Sequence, residues 1–139
     1  MSITATRRFQ FCAGHRVHNH ESKCRNLHGH NYVVLVTASG ELDELGRIID
    51  FGELKRMALW CEENWDHGFI LKRDDNEART AIALMSEQKK YLMTENPTAE
   101  NMAGYLLRDV APVLFAGTGV TITKVTVWET ENCFAEASL

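Results

Sequence analysis

The chain has 139 residues, 45% hydrophobic and 24% charged, which suits one soluble domain spanning residues 1–139. Its formal charge of −4 argues against a nucleic-acid binder that works through a broad basic surface. No run approaches the roughly 18 apolar residues of a membrane span, the N-terminus lacks an apolar leader core, and 4 cysteines without a Cys-x-x-Cys pair make no disulfide scaffold, so a reduced, cytoplasmic protein without membrane or nucleic-acid partners is expected.

Residues 3–13 alternate as a strand does, with Arg8 and Gln10 on one side and Phe9 and Phe11 on the other. Residues 14–28 are polar and irregular. Residues 29–40 form the strongest predicted strand, carried by Tyr32, Val33, Val34, Leu35 and Val36. A turn at 41–46 leads to a short extended stretch, Arg47-Ile48-Ile49. Asp50, with Glu53 three residues on, has the form of an acidic capping box. The helix it opens is predicted to reach about Trp65, with Leu54, Ala58, Cys61 and Trp65 on its apolar face. Residues 74–87 are weakly patterned, with a short helix over 77–85, and 89–94 form a short strand. Asn96-Pro97-Thr98 breaks the chain and caps a second long helix over 99–113. Its inner face carries Met102, Ala103, Leu106, Leu107 and Val110. Gly117-Thr118-Gly119 lacks the remainder of a phosphate loop and reads as a turn. Strands follow over 120–130 and 133–137. Two antiparallel pairs separated by two helices predict an α+β domain with the helices on one sheet face. Its two sheet edges predict assembly by edge pairing.

Five of the 6 histidines fall between positions 15 and 30. His28-Gly29-His30 opens a strand, and residues i and i+2 of a strand share a face. The two imidazoles therefore project side by side, and His15 ends a neighbouring strand. Three imidazoles around an open fourth position are the catalytic zinc arrangement. His18 and His20 read as solvated. Cys24 lies between Lys23 and Arg25, whose charges favour a thiolate; spacing leaves open a base or nucleophile, a fourth metal ligand and an inert thiol. Cys12, Cys61 and Cys133 read as core. Asp66-His67 is either an oriented imidazole or a surface pair. Glu129, in an otherwise apolar and hydroxyl-bearing strand, either faces solvent or accepts two parallel N–H donors such as an amino-pyrimidinone edge.

Taken together, Phe9-Gln10-Phe11-Cys12-Ala13-Gly14-His15-Arg16, Cys24-Arg25-Asn26-Leu27-His28-Gly29-His30-Asn31-Tyr32, Ile49-Asp50-Phe51, Trp65-Asp66-His67, Asn96-Pro97-Thr98-Ala99-Glu100-Asn101 and Val127-Trp128-Glu129-Thr130 resemble the 6-pyruvoyl-tetrahydropterin synthase / 6-carboxytetrahydropterin synthase family. The three-residue gap in Cys-x-x-x-His-Gly-His is similar to that of bacterial 6-carboxytetrahydropterin synthases of queuosine and deazapurine biosynthesis.

The resemblance implies the tunnelling fold: a four-stranded antiparallel sheet with two helices on one face, closed into a barrel by trimers, two of which stack as a hexamer. It implies active sites between subunits, zinc on His15, His28 and His30, and Cys24 as catalytic base with Asp66 and His67 as its partners. Glu129 is implied as pterin anchor and part of the catalytic relay, and Thr98 as a pocket residue. The implied reaction converts 7,8-dihydroneopterin triphosphate to 6-carboxytetrahydropterin, acetaldehyde and triphosphate. A pyruvoyl-forming or related pterin side-chain lyase is the alternative within the fold. A non-catalytic metal-binding assembly module and a three-histidine zinc hydrolase are the alternatives outside it. Charge suggests Lys23, Arg25 or Arg16 for the triphosphate. The segment 74–95 is longer than in compact bacterial members and is expected to cover the site or an outer surface.

Overall fold

A computed structural model describes residues 1–139. β1 (Thr4–His15) and β2 (His28–Ser39) form a long antiparallel ladder running from Thr4 opposite Ser39 to His15 opposite His28. Alternation sorts their side chains as the sequence predicts. Phe11, Ala13 and His15 are buried on the core side with Tyr32, Val34 and Val36. Arg8, Gln10 and Cys12 occupy the opposite, more open face. β5 (Thr121–Thr130) pairs antiparallel with β2, and β6 (Cys133–Ser138) with β5.

The sheet has six strands, in the order β4-β3-β1-β2-β5-β6, where four were expected. β3 (Phe69–Lys72) was not anticipated; it runs parallel to β1, with Gly14 opposite Phe69. β4 (Lys90–Met93) runs parallel to β3. The β1 edge, expected to be free, is therefore covered within the chain. The junction is tight: a Cβ on Gly14 would collide with the Phe69 ring, and one on Gly29 would stand 2.9 Å from the Ala13 carbonyl oxygen.

α1 (Phe51–Asn64) starts where predicted, the Asp50 carboxylate accepting from the Gly52 N–H. The capping box does not close, because the Glu53 side chain pairs with Arg56. The stretch at 47–49 is not a strand: no ladder reaches it, and Arg47 turns back to Asp43 and Asp50. α3 (Ala99–Tyr105) continues through a π-helical turn (Leu106–Val110) into α4 (Ala111–Leu114). Pro112 cannot donate a backbone hydrogen bond, and the turn just before it closes from the Ala111 N–H to the Leu106 carbonyl. Leu54, Met57, Cys61 and Trp65 meet Met102, Ala103 and Leu106 in one apolar core on the inner sheet face. No helix is long and apolar enough to cross a membrane.

The 74–95 segment builds α2 (Asn76–Ala83) and β4 on the outer flank of this sheet. Arg16 clamps it: Nε donates to Asp75 Oδ2 at 2.6 Å, Nη2 donates to Asp75 Oδ1, and Nη1 donates to Glu77 at 2.9 Å. Asp75 is fully buried, and the Arg16 hydrogen bonds hold its carboxyl below the usual carboxylate range despite that burial. This guanidinium is thus engaged within the chain by three of its N–H groups.

Candidate metal and catalytic site

His15, at the end of β1, and His28 and His30, at the start of β2, converge as their register requires. Their ring centroids form a triangle with sides of 4.6, 5.1 and 4.9 Å. His15 Nδ1 donates to the Pro97 carbonyl and His28 Nδ1 to the Asn26 carbonyl, each at 2.7 Å. A carbonyl only accepts, so both Nδ1 atoms carry the hydrogen. In the neutral rings the Nε2 atoms then present lone pairs to one another, 3.1 Å apart. That contact is repulsive unless a cation sits beside both. Two nitrogens on a tetrahedral zinc stand about 3.3 Å apart, given Zn–N distances of about 2.0–2.1 Å. The third imidazole agrees: His30 Nε2 is buried and makes no hydrogen bond. The donor set therefore fits a divalent ion held by three imidazoles, each of two rings fixed by a backbone carbonyl behind it.

Glu129 closes the group from β5, its Oε1 2.8 Å from His30 Nε2, out of hydrogen-bonding alignment, and 3.9 Å from His15 Nε2. It also borders a cleft of about 790 Å³ with Arg8, Val33, Leu35 and Trp128.

Burial, reinforced by His28 and His30, pushes His15 down to about 4 against the pull of its Pro97 hydrogen bond. Burial and His28 also lower His30, against the charge of Glu129. His15 is thus neutral, and free to offer a lone pair, well below pH 7. The sign of its linkage follows: between pH 6.5 and about 4 the unfolded chain takes up a proton that the folded chain refuses, so stability falls as pH falls. Across that window the metal-free chain should lose on the order of 3 kcal/mol from this group. Thermal unfolding at pH 7, 5.5 and 4.5 checks this; a melting temperature flat over that range contradicts it.

A second group lies where α1 ends. The Asp66 carboxylate accepts from the Cys12 N–H through Oδ1 at 3.0 Å and stands 2.9 Å from His67 Nδ1 through Oδ2. Burial opposes its ionisation, but these hydrogen bonds hold the carboxyl below its usual range. His67 is mostly exposed, and Cys12 Sγ lies 3.7 Å from its Nε2. The in-chain thiol beside Asp66-His67 is therefore Cys12, which sequence reasoning assigned to the core. The signal was present: Cys12 shares its parity with Arg8 and Gln10 on the polar face. Cys133 is likewise exposed rather than core, whereas Cys61 is buried as expected.

Cys24 is half-buried in a single 3-10 turn (Lys23–Arg25) whose Cys24 carbonyl accepts from the Val17 N–H at 2.8 Å. Within one chain it belongs to neither cluster. Thr98 caps α3, its hydroxyl oxygen accepting from the Asn101 N–H at 3.1 Å. The same segment docks on the histidine loop through Pro97 and through Asn96, which bonds the His18 backbone at both N–H and carbonyl. His18 and His20 are half-buried rather than freely solvated; with Arg16 and Arg25 they line a polar cleft of about 520 Å³.

Comparison with known proteins shows the family and the fold. A family model described as 6-pyruvoyl tetrahydropterin synthase matches residues 4–138. The 6-carboxy-5,6,7,8-tetrahydropterin synthase of Rickettsia felis is 45% identical over 136 residues, covering 96% of this chain and 99% of the relative. Among solved structures, an uncharacterised protein from Wolinella succinogenes shares the fold with a TM-score of 0.86 at 24% identity, over 99% of this chain and 98% of the other. The 6-pyruvoyl tetrahydropterin synthase of Caenorhabditis elegans gives 0.69 at 26% identity, over 99% and 95%.

Proposed function

The chain belongs to the 6-pyruvoyl tetrahydropterin synthase family, and from that premise we propose that it is a 6-carboxy-5,6,7,8-tetrahydropterin synthase. The substrate is 7,8-dihydroneopterin triphosphate, and the products are 6-carboxytetrahydropterin, acetaldehyde and triphosphate. The observation that carries the reading is the triangle of three imidazoles on a chain resembling such synthases along nearly its whole length. Zinc bound there supplies a Lewis acid for the hydroxyls of the substrate side chain.

The chain's own residues do the rest. Glu129, at the edge of a cleft walled by Val33, Leu35 and Trp128, accepts the paired N–H donors of the pterin edge. Cys24 removes a proton from the side chain. His67, oriented by Asp66, holds and returns protons. Thr98 contributes to the pterin pocket, and Lys23 and Arg25 meet the triphosphate. Because Cys24 belongs to neither cluster within one chain and so stands apart from His67, we place each complete site between copies, in a hexamer built from two trimers. The product feeds queuosine or deazapurine synthesis in the cytoplasm.

Product identification with dihydroneopterin triphosphate tests the reading. Acetaldehyde with the carboxy-pterin is expected; a pyruvoyl product overturns it in favour of the other synthase type. Glu129→Gln should raise KM about 10- to 100-fold, the scale of losing hydrogen bonds to a charged group, with metal content unchanged. Loss of the metal, and of turnover with it, would instead make Glu129 a fourth ligand.

A further inference from the structure

The group at the end of α1 is a built constellation in its own right. Asp66 fixes Cys12 through its backbone N–H and His67 through Nδ1. The His67 N–H returns to the Cys12 carbonyl at 2.7 Å. His67 has a φ of +60°, a conformation a side-chain-bearing residue adopts at a cost of about 1 kcal/mol or more unless its surroundings impose it. Here they do: the neighbouring Gly68 N–H is tied to Trp65 and the Asp66 N–H to Cys61, at 3.1 and 2.8 Å. This backbone brings the imidazole to the thiol. Cys12 Sγ stands 3.7 Å from both ring nitrogens, beside the ring rather than on the axis of either lone pair, and with Nδ1 facing the carboxylate Nε2 is the nitrogen left free to take a proton. That separation is long for a hydrogen bond, as such pairs often are before a ligand draws them together. Thiol and imidazole open onto a cleft of about 420 Å³, together with Gly14, Phe69, Gln88 and, from the histidine cluster's strand, Gly29 and His30. A nucleophile, a base within reach and a third group orienting the base are the three parts of an activated thiol.

We propose that Cys12, with His67 as base and Asp66 as its orienting group, is a second reactive thiol of this protein, taking small, soft carbon electrophiles that enter this cleft. The role needs no pterin and uses the same His67 and Asp66 that the proposed synthase reaction employs. The step balances: Cys12 Sγ forms a bond to the electrophilic carbon, the leaving group departs with its electron pair, and the thiol proton passes to His67 Nε2.

Iodoacetamide alkylation of the full-length chain at pH 7, followed cysteine by cysteine by peptide mass spectrometry, tests this without any activity assay. Cys133, exposed and outside both clusters, is the internal reference. Cys12 should label at least about 10-fold faster than Cys133 despite its lower exposure, within the range a positioned general base supplies. His67→Gln should bring Cys12 down to the Cys133 rate or below, Asp66→Asn should slow it, and Cys133 should not change in either. Equal labelling of Cys12 and Cys133 in the unaltered protein, or a Cys12 rate indifferent to His67→Gln, overturns the proposal. The comparison within the unaltered chain decides by itself if either variant fails to fold.

Discussion

Replacing His28 with alanine is expected to abolish stoichiometric metal binding and, with it, turnover. His28 supplies one of three Nε2 donors, and its ring is aimed by the 2.7 Å hydrogen bond from Nδ1 to the Asn26 carbonyl. Losing only such an orienting partner typically costs about 10- to 100-fold in metal affinity, so removing the ligand itself should cost more than that. Turnover should fall in step. His18→Ala and His20→Ala are the matched controls: both lie in the same histidine-rich segment but outside the cluster, and both should keep full metal content. Metal analysis after exhaustive dialysis, with circular dichroism to verify folding, separates the outcomes. A His28→Ala chain that keeps one ion contradicts the ligand assignment.

The second large effect is at Cys24. Cys24→Ala should lower kcat by about 10²- to 10⁴-fold, the contribution of a positioned acid–base group, while metal content stays intact. The separation of Cys24 from the histidine cluster motivates that split. Unchanged turnover would favour a different base, and unchanged absence of turnover in both proteins would favour a non-catalytic module. Loss of the ion would make Cys24 a fourth ligand. Mixing refolded Cys24→Ala and His67→Ala chains adds a test of shared sites: part of the turnover should return if each site takes the two residues from different copies. No recovery in verified mixed assemblies contradicts that arrangement.

The histidine triangle was legible in the sequence because its geometry is nearly local. His28 and His30 share a face by the two-residue strand period, and His15 follows from one antiparallel register. Both long helices were legible for a similar reason: their apolar spacing matched one buried face, although Met57 rather than Ala58 fills the inner position of α1. What was missed depends on distant pairing. β3 is four residues long and carries no period of its own; its partner β1 ends more than fifty residues earlier. Without β3 the covered β1 edge could not be foreseen. Nor could the approach of His67 to Cys12, which follows from the chain turning back at Asp66 to bond the β1 backbone. The commitment of Arg16 to Asp75 is of the same kind, since the two are 59 positions apart.

The central claim is that His15, His28 and His30 hold the ion on which turnover depends. Its most direct test follows bound metal and turnover in one sample: strip the protein with a chelator, then titrate Zn²⁺ back while measuring both. Turnover of dihydroneopterin triphosphate should vanish in the stripped protein and return in proportion to bound zinc, reaching its plateau at one ion per chain. Full turnover in the metal-free protein, or a plateau unaffected by replacing all three histidines, would contradict the account.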